Sequence, residues 1–268
     1  MNVPANAAVD AADLVLLHGL NNTPAVWRGV LDALPAHIRA HAPTLPALPD
    51  VDAIAEALLA QLPARFWLAG FSFGGYVAMA MLARAPERVL GLAMLCTTPQ
   101  ADTPAQNFGR RAAIMAAGSG DYVERAIKQG IAAFHPAHRD DVDLLCIRRE
   151  MVAAYGASTF VAHSLASLMR PDRSTLLHDD LPLLWVAGSA DPLYPPQAIA
   201  ALRAAAGQGP LHVIEPAGHL VPLEQPVQLA AILSAWIDGA PCAAAENRRP
   251  EYRGTAPACP RTPRGSTS

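Results

Sequence analysis

The sequence predicts an α/β fold: a mostly parallel sheet of about six strands with helices on both faces and an inserted helical cap. Short apolar runs alternate along the chain with longer stretches of helical period, which is typical of parallel strands joined by helices. With 268 residues the chain is long enough to bury one sizeable core. The alternation stops between residues 100 and 175, where helical patterns follow one another without a strand.

The first strand is predicted over residues 13–19, DLVLLHG, because this apolar run is short, continuous and closed by glycine. Thr23 and Pro24 then indicate a helix start, with Thr23 as N-cap and Pro24 in the first turn. Further strands are predicted at 37–43, 64–72, 89–96, 181–188 and 210–216, of which 37–43 has the weakest pattern. Helices are predicted at 23–34, 50–62, 73–85, 195–206 and 223–237.

The chain is expected to divide into three parts: a core of residues 1–99 and 176–238, a cap of residues 100–175, and a tail of residues 239–268. A cap is favoured over extra helices on the flank of the sheet. The insertion leaves from the end of a strand, where the ligand crevice of an open α/β sheet lies. The tail is rich in Ala, Pro, Gly and Arg, so we expect it to be disordered and to take no part in the chemistry. Helical patterns within the cap cover 106–117, 121–129, 139–155 and 158–168.

Composition argues against several classes of protein. Apolar residues make up 52% of the chain and charged residues 16%, which suits a compact soluble enzyme. The formal charge is −3 without a long basic run, so nucleic-acid binding is not expected. No stretch approaches the ~20 apolar residues of a membrane span, and no basic segment precedes an apolar run as in a signal peptide. We therefore expect a cytoplasmic protein whose four widely spaced cysteines are reduced thiols.

Residues 70–74, Gly-Phe-Ser-Phe-Gly, match the pattern G-x-S-x-G. In this motif a strand turns sharply into a helix, and small residues on either side allow the close passage of the backbone. The serine at the turn is exposed at a helix N-terminus, where negative charge is favoured. Because a predicted strand precedes the motif and a helix rich in small residues follows it, Ser72 is the predicted nucleophile.

An acid and a base follow the serine in the order Ser, Asp, His that is typical of this motif. A serine hydroxyl is a weak nucleophile at neutral pH, so it needs an adjacent base, and the base needs an acid to orient it. Asp191 follows the predicted strand 181–188, and His219 follows the predicted strand 210–216. Both positions are strand-end loops, so Asp191 and His219 are the predicted partners of Ser72.

Each of these residues also has a structural interpretation. The motif is compatible with a simple Gly-Ser turn, Asp191 with a turn aspartate before proline, and His219 with a surface histidine. A different acid after the strand at 89–96 is a further option, but no carboxylate follows that strand before Asp102. This absence favours Asp191.

The proposed chemistry also requires two backbone donors for an oxyanion and apolar walls for a substrate. The N–H of Phe73, directly after the nucleophile, is the first predicted donor, and the N–H of Leu20, after the first strand, is the second. His18, Trp27 and Phe71 are predicted substrate contacts. For His18 a structural role in its loop is the favoured alternative, and Trp27 and Phe71 are equally compatible with core packing.

Five segments of the chain carry a resemblance to a known family: LVLLHGL at 14–20, LAGFSFGG at 68–75, APERV at 85–89, GSADPLYP at 188–195 and AGHLVPLEQP at 217–226. With these segments the chain resembles the α/β-hydrolase superfamily from about Leu14 to Ile237, in the branch of bacterial esterases, enol-lactonases and carbon–carbon bond hydrolases. The resemblance implies the α/β-hydrolase fold and a Ser-Asp-His triad. Members usually carry a β-hairpin before the first of these segments. Only about a dozen residues precede it here, so we expect a sheet of about six strands.

The predicted function is hydrolysis of a carboxylic ester, lactone or thioester of a small to medium apolar substrate through an acyl-enzyme. The same residues are compatible with acyl transfer, cofactor-free perhydrolysis or carbon–carbon bond hydrolysis, and a ligand-binding protein without turnover is the non-catalytic alternative. No metal cluster, phosphate loop or dinucleotide motif is present in the sequence, so we expect no metal and no cofactor. The predicted partner is a small-molecule substrate, and the sequence leaves a monomer or a dimer open.

Overall fold

A six-stranded sheet forms the centre of the computed structural model, which describes residues 12–118, 120–178 and 180–239. The strands lie in the order β2-β1-β3-β4-β5-β6, and every neighbouring pair is parallel. The predicted fold class is confirmed. The strands are β1 (Ala12–Leu17), β2 (Ile38–His41), β3 (Phe66–Phe71), β4 (Val89–Leu95), β5 (Leu183–Gly188) and β6 (Leu211–Ile214).

Helices connect the strands, as a parallel sheet requires. They are α1 (Arg28–Ala33), α2 (Val51–Leu59), α3 (Phe73–Arg84), α4 (Pro104–Ala117), α5 (Tyr122–Gly130), α6 (Val142–Met169), α7 (Pro196–Ala206), α8 (Val221–Glu224) and α9 (Pro226–Gly239). Thr23 caps a short 3-10 turn ahead of α1, as its position before Pro24 predicts. The predicted tail, apart from Gly239, lies outside the described residues.

The sheet is covered by apolar side chains on both faces. Along β1, Val15 and Leu17 belong to one buried cluster, whereas Leu14 and Leu16 belong to the other. Successive side chains of a strand point to opposite faces, so a strand buried on both sides needs an unbroken apolar run. This requirement explains why the strands were recognisable as continuous runs of Leu and Val.

Two predicted helices differ from the structure near their ends. The helix predicted over 23–34 is a 3-10 turn followed by α1, and the helix predicted over 223–237 is split into α8 and α9. The split falls at Gln225, whose backbone lies outside the helical region (φ −137, ψ 57). A residue before proline is driven out of the helical region, and Pro226 follows Gln225.

Residues between β4 and β5 contain α4, α5 and α6 and no strand in their described part. Asp102 joins the two ends of this segment, because its carboxylate lies 2.6 Å from the guanidinium of Arg170. It also receives a hydrogen bond of 2.7 Å from Nε of Arg110 on α4. The helices predicted at 139–155 and 158–168 are both present within α6, and they meet at Gly156, where the backbone leaves the helical conformation (φ 73, ψ 161).

Helix α6 is long and apolar enough to cross a membrane by length and composition alone, a test that the core helix of a soluble protein also passes. Length and composition alone therefore do not distinguish a span from a core helix there. The helix is interrupted at Gly156 and buries the polar side chains of Arg148 and His163 against the rest of the protein. These features favour a helix packed on a protein core.

The start of α3 lies very close to its neighbouring strands. A Cβ atom on Gly74 would lie 2.2 Å from the carbonyl oxygen of Leu17, and one on Gly75 would lie 2.3 Å from Oγ1 of Thr97. Gly70 is equally confined, since a Cβ atom there would lie 2.6 Å from the Cα of Gly75. Only glycine therefore fits at these three positions.

We expect Gly75→Ala to lower the free energy of unfolding by about 1–3 kcal/mol, because the added methyl group forces Thr97 out of place. Gly109→Ala is the matched control, since a Cβ atom there meets nothing within 4 Å. Gly109 lies inside the exposed helix α4, so this change is expected to stabilise by about 0.5–1 kcal/mol. Urea unfolding measures both, and equal stabilities for the two variants would contradict the packing described here.

Candidate active site

Ser72 lies at the turn between β3 and α3 with a backbone conformation that non-glycine residues rarely adopt (φ 52, ψ −117). Three hydrogen bonds hold this residue. Its N–H donates to the carbonyl of Leu95 at 3.0 Å, and its own carbonyl accepts from the Thr97 hydroxyl at 2.7 Å and from the Gly75 N–H at 2.9 Å. The strained conformation is thus fixed by the neighbouring strand and by the first turn of the helix.

His219 lies between Ser72 and Asp191, in the loop that follows β6. Its Nε2 is 3.0 Å from Oγ of Ser72, and its Nδ1 is 2.8 Å from Oδ2 of Asp191. With Nδ1–H donating to the carboxylate, Nε2 is left to accept the proton of the serine hydroxyl. The structure therefore brings the three residues predicted from separate strand ends into one hydrogen-bonded chain.

Asp191 lies in the loop after β5, with almost no exposure to solvent. Its second oxygen accepts the backbone N–H groups of Leu193 at 2.8 Å and Tyr194 at 3.0 Å. Burial raises the pKa of this carboxyl, but His219 and the two N–H donors together outweigh burial, so the pKa lies below its ordinary value. Asp191 is therefore ionised at neutral pH and orients the imidazole.

The buried carboxylate of Glu224 holds the loop that carries His219. Its Oε1 accepts the N–H of Gly218 at 2.9 Å, while its Oε2 accepts the N–H of His135 and Nδ1–H of His138, both at 2.8 Å. The side chain of Glu224 has no exposed surface. Glu224 thus connects the loop before His219 to the segment between α5 and α6, a role that sequence reasoning missed.

The His219 loop also packs directly on that segment. The N–H of His219 donates to the carbonyl of Ala133 at 2.6 Å. A Cβ atom on Gly218 would lie 2.3 Å from the same carbonyl oxygen. Glycine before the histidine is therefore required by close packing.

The backbone around the predicted oxyanion donors lies beside Ser72. A Cβ atom on Gly19 would be 3.1 Å from Cβ of Ser72, so the loop of Gly19 and Leu20 passes the serine closely. Phe73 is the first residue of α3, where N–H groups have no partner within the helix. In the described part of the chain, the N–H groups of Leu20 and Phe73 donate to no other backbone or side-chain group. Both are free to bind a ligand oxygen.

His18, Trp27 and Phe71 are all buried in the structure. His18 uses both ring nitrogens on the backbone of Gly19 and Leu45, and burial lowers its pKa to about 4. Trp27 packs edge-on against Phe71, and the Phe71 ring lies 5.2 Å from that of His219. Phe71 is thus the one of the three in ring contact with His219. That His18, Trp27 and Phe71 contact the substrate stays a prediction.

Two residues of α6 that the sequence did not single out lie close to the site. The ring of His163 stacks on Phe73 at 4.7 Å, and its Nδ1 is 2.6 Å from the hydroxyl of Tyr155. Tyr155 in turn meets His18 edge-on at 6.2 Å. These residues carry no strand-end or glycine signal, so only the packing of α6 on the core identifies them.

The thiol of Cys96 lies close to Asp191 and His219 at this edge of the sheet. Ligand atoms of Cys96, Asp191 and His219 all lie within 4.8 Å of one another. Burial, followed by the charge of Asp191, raises the pKa of the Cys96 thiol, and a protonated thiol is a poor metal ligand. Because Asp191 and His219 are also bonded to each other, this donor set does not fit a resident metal, and the absence of a metal stays a prediction.

The sequence and the fold were compared with those of known proteins. A model of the Alpha/beta hydrolase family matches residues 14–232. The chain belongs to the alpha/beta hydrolase family. The prediction of an enzyme of the hydrolase class is thereby confirmed.

Named relatives and solved structures extend the comparison. The chain is 29% identical to the pimeloyl-[acyl-carrier protein] methyl ester esterase of Aeromonas salmonicida, over 88% of this chain and 100% of that protein. It is 38% identical to the enzyme of the same name from Nitrosomonas europaea, over 32% of this chain and 38% of that protein. A thermophilic esterase from Thermogutta terrifontis has a TM-score of 0.78 at 23% identity, over 85% of this chain and 90% of that one. An enol-lactonase from Burkholderia xenovorans has a TM-score of 0.75 at 16% identity, over 87% of this chain and 94% of that one. The two structures share the fold.

We expect Glu224→Gln to lower both stability and turnover. One carboxylate oxygen becomes an NH₂ group that faces N–H donors, and losing a hydrogen bond to a buried charged group costs about 1.5–3 kcal/mol. Glu87→Gln, the same change at an exposed position, is the matched control and should leave both unchanged. Urea unfolding and ester turnover are the measurements, and a Glu224→Gln enzyme equal to the control would contradict the role assigned to this carboxylate.

Proposed function

We propose that this protein is a serine esterase in which Ser72 is the nucleophile, His219 the general base and Asp191 the acid that orients it. The observation that carries the proposal is the unbroken hydrogen-bonded chain from Oγ of Ser72 through His219 to the buried Asp191. Nucleophile, base and acid in this arrangement are recognised by geometry and role. The family membership of the chain supports the same assignment.

In the proposed first step Oγ of Ser72 attacks the ester carbonyl carbon while Nε2 of His219 takes the hydroxyl proton. The carbonyl oxygen becomes an oxyanion, which the N–H groups of Leu20 and Phe73 bind. Ionised Asp191 stabilises the imidazolium that forms. Collapse of the tetrahedral intermediate breaks the ester C–O bond, and His219 passes its proton to the leaving alcohol.

In the proposed second step a water molecule attacks the acyl-enzyme carbonyl and His219 takes the proton of the water. The same two N–H groups bind the second oxyanion. The ester bond to Ser72 then breaks, its oxygen regains the proton from His219, and the carboxylic acid leaves. No cofactor or metal enters either step.

Ser72→Ala tests the chemistry. We expect it to lower kcat for p-nitrophenyl butyrate by about a thousandfold or more, and Asp191→Asn to have a large effect as well, because the three residues act as a unit. Ser234→Ala is the control, since its hydroxyl is bonded to Asp238 on α9 and lies outside the proposed site. A fluorophosphonate probe should label the control enzyme and not Ser72→Ala. Unchanged turnover or labelling in Ser72→Ala would disprove the assignment.

For the substrate, we propose an ester of a small alcohol, such as a methyl ester, with an aliphatic acyl group of medium length. The full-length relative from Aeromonas salmonicida is named for the methyl ester of a pimeloyl group on acyl-carrier protein. The aromatic rings of Phe71 and Phe73, which flank Ser72 in the chain and pack against His219 and His163, support an apolar acyl group. The names of the relatives do not favour acyl transfer, perhydrolysis or carbon–carbon cleavage.

A substrate series tests this proposal. We expect kcat/KM for methyl esters of straight-chain acids to rise from acetate to octanoate, because each added methylene buries more apolar surface against the protein. Pimeloyl-acyl-carrier-protein methyl ester belongs in the series as the specific candidate. Lactones and thioesters of matched size are the comparison, with Ser72→Ala as the blank. A preference for lactones over all methyl esters would contradict the proposed substrate class.

The segment of residues 100–175 is proposed as a cap over this site. In support, Tyr155 and His163 of α6 lie against His18 and Phe73, on the side of the sheet edge where the serine is found. The cytoplasm stays the predicted compartment. Among the described cysteines, Cys96 is buried and Cys146 is exposed, and neither forms a disulfide, in line with reduced thiols.

A further inference from the structure

Arg148 of α6 reaches across from the proposed cap to the loop that follows β1. Its Nη1 donates to the backbone carbonyl of Asn21 and, at 3.0 Å, to Oδ1 of Asn22. These residues are more than a hundred positions apart in the sequence. Arg148 therefore contacts the loop that carries the Leu20 N–H.

The guanidinium of Arg148 is buried without an acidic partner. Its residue is 7% exposed, its Nε has no hydrogen-bond partner, and no carboxylate within the described residues pairs with it. Desolvation lowers its pKa to about 10, so the group still carries its charge at neutral pH. A buried charge that lacks a counter-ion is costly, and the hydrogen bonds to the loop are what offsets that cost.

Asn22 is hydrogen-bonded to both Arg148 and Leu20. While its Oδ1 accepts from Arg148, its Nδ2 donates to the carbonyl of Leu20 at 2.8 Å. One side-chain amide thus connects the guanidinium to the residue whose N–H faces the proposed oxyanion. Asn22 is buried, so water does not compete for either bond.

Asn21, the residue between them, needs the same support. Its backbone is in the left-handed region (φ 58), which residues other than glycine enter at a cost. Besides the bond from Arg148 to its carbonyl, its side-chain Oδ1 accepts the hydroxyl of Tyr122 on α5. The strained turn after Leu20 is therefore held by side chains from the proposed cap.

We infer that Arg148 is a positioning residue for the oxyanion hole: through Asn22 and Asn21 it holds Leu20 so that its N–H points at the reacting carbonyl oxygen. The inference rests on the proposed function, in which that N–H binds the oxyanion. A donor displaced by a fraction of an ångström loses much of its stabilisation of the transition state. Arg148 itself touches no reacting atom in this scheme.

The test compares Arg148→Met, Arg148→Lys and Asn22→Ala with a matched control, Arg149→Met. Arg149 is the next residue of the same helix, is half exposed and pairs with the exposed Glu124, so its loss should change nothing. We expect Arg148→Met and Asn22→Ala each to lower kcat about 10- to 100-fold with little change in KM, since part of one oxyanion donor is lost. Arg148→Lys keeps the charge, but its ammonium is one bond closer to the backbone than Nη1 and falls short of the two acceptors, so it should lose at least tenfold as well.

A transition-state analogue separates positioning from general stability. A trifluoromethyl ketone forms a tetrahedral adduct with the serine, so its Ki should rise by the same factor as kcat/KM falls. The double variant Arg148→Met/Asn22→Ala should be no worse than the more affected single variant, because both changes break one connection. Effects that multiply, an unchanged Ki, or an Arg148→Lys enzyme as active as wild type would overturn the inference.

Two controls keep the test decisive. If Arg148→Met does not fold, Arg148→Lys and Asn22→Ala, checked by thermal melting, carry the same comparison of kcat with Ki. Wild-type enzyme that hydrolyses p-nitrophenyl butyrate and is labelled by fluorophosphonate supports the proposed function on its own. Active wild type with fully active Arg148 and Asn22 variants overturns only the inference, whereas wild type that neither turns over nor labels overturns both.

Discussion

The close approach of α3 to β1 and β4 is the constraint on which the site depends. Gly74 and Gly75 allow the helix to begin within van der Waals contact of Leu17 and Thr97. Ser72, directly before this contact, has a positive φ, which residues other than glycine rarely adopt. The hydroxyl is thereby aimed at Nε2 of His219, and the N–H that follows stays free. The parallel sheet supplies the rest, because the carboxyl ends of all its strands meet at this edge.

Both loops that must face the serine are tied to the segment between β4 and β5. Glu224 connects the His219 loop to His135 and His138, and Arg148 connects the loop after β1 to α6. Each connection uses a buried charged group, whose hydrogen bonds are stronger in a low dielectric than they are in water. The inserted helices and the turns between them contact both of these loops. They fix the two backbone segments whose positions the proposed reaction requires.

The sequence was sufficient for the strands, and it singled out the three residues that the structure joins by hydrogen bonds, for a physical reason. Strands buried on both faces are continuous apolar runs, and Ser72, Asp191 and His219 each follow such a run. Glu224 stood five residues after His219 in a segment that carried the family resemblance, yet no pattern shows that its carboxylate turns inward. Arg148 could not be predicted for a similar reason, since the residues that it contacts, Asn21 and Asn22, lie more than 120 positions away in the sequence.

Three histidines lie around the serine or its neighbours, and their hydrogen bonds differ in a way that favours His219 as the proposed base. His18 has both ring nitrogens bonded to backbone groups and a pKa lowered to about 4 by burial. Burial also lowers the pKa of His163, whose Nε2 is bonded to the carbonyl of Pro46 and whose Nδ1 is bonded to Tyr155. A neutral ring with both nitrogens hydrogen-bonded neither takes a proton nor repels an imidazolium. His18 and His163 are therefore held in place as neutral rings. Of the three, His219 alone has one nitrogen on a carboxylate and the other on a hydroxyl. That asymmetry gives this imidazole a direction for proton transfer.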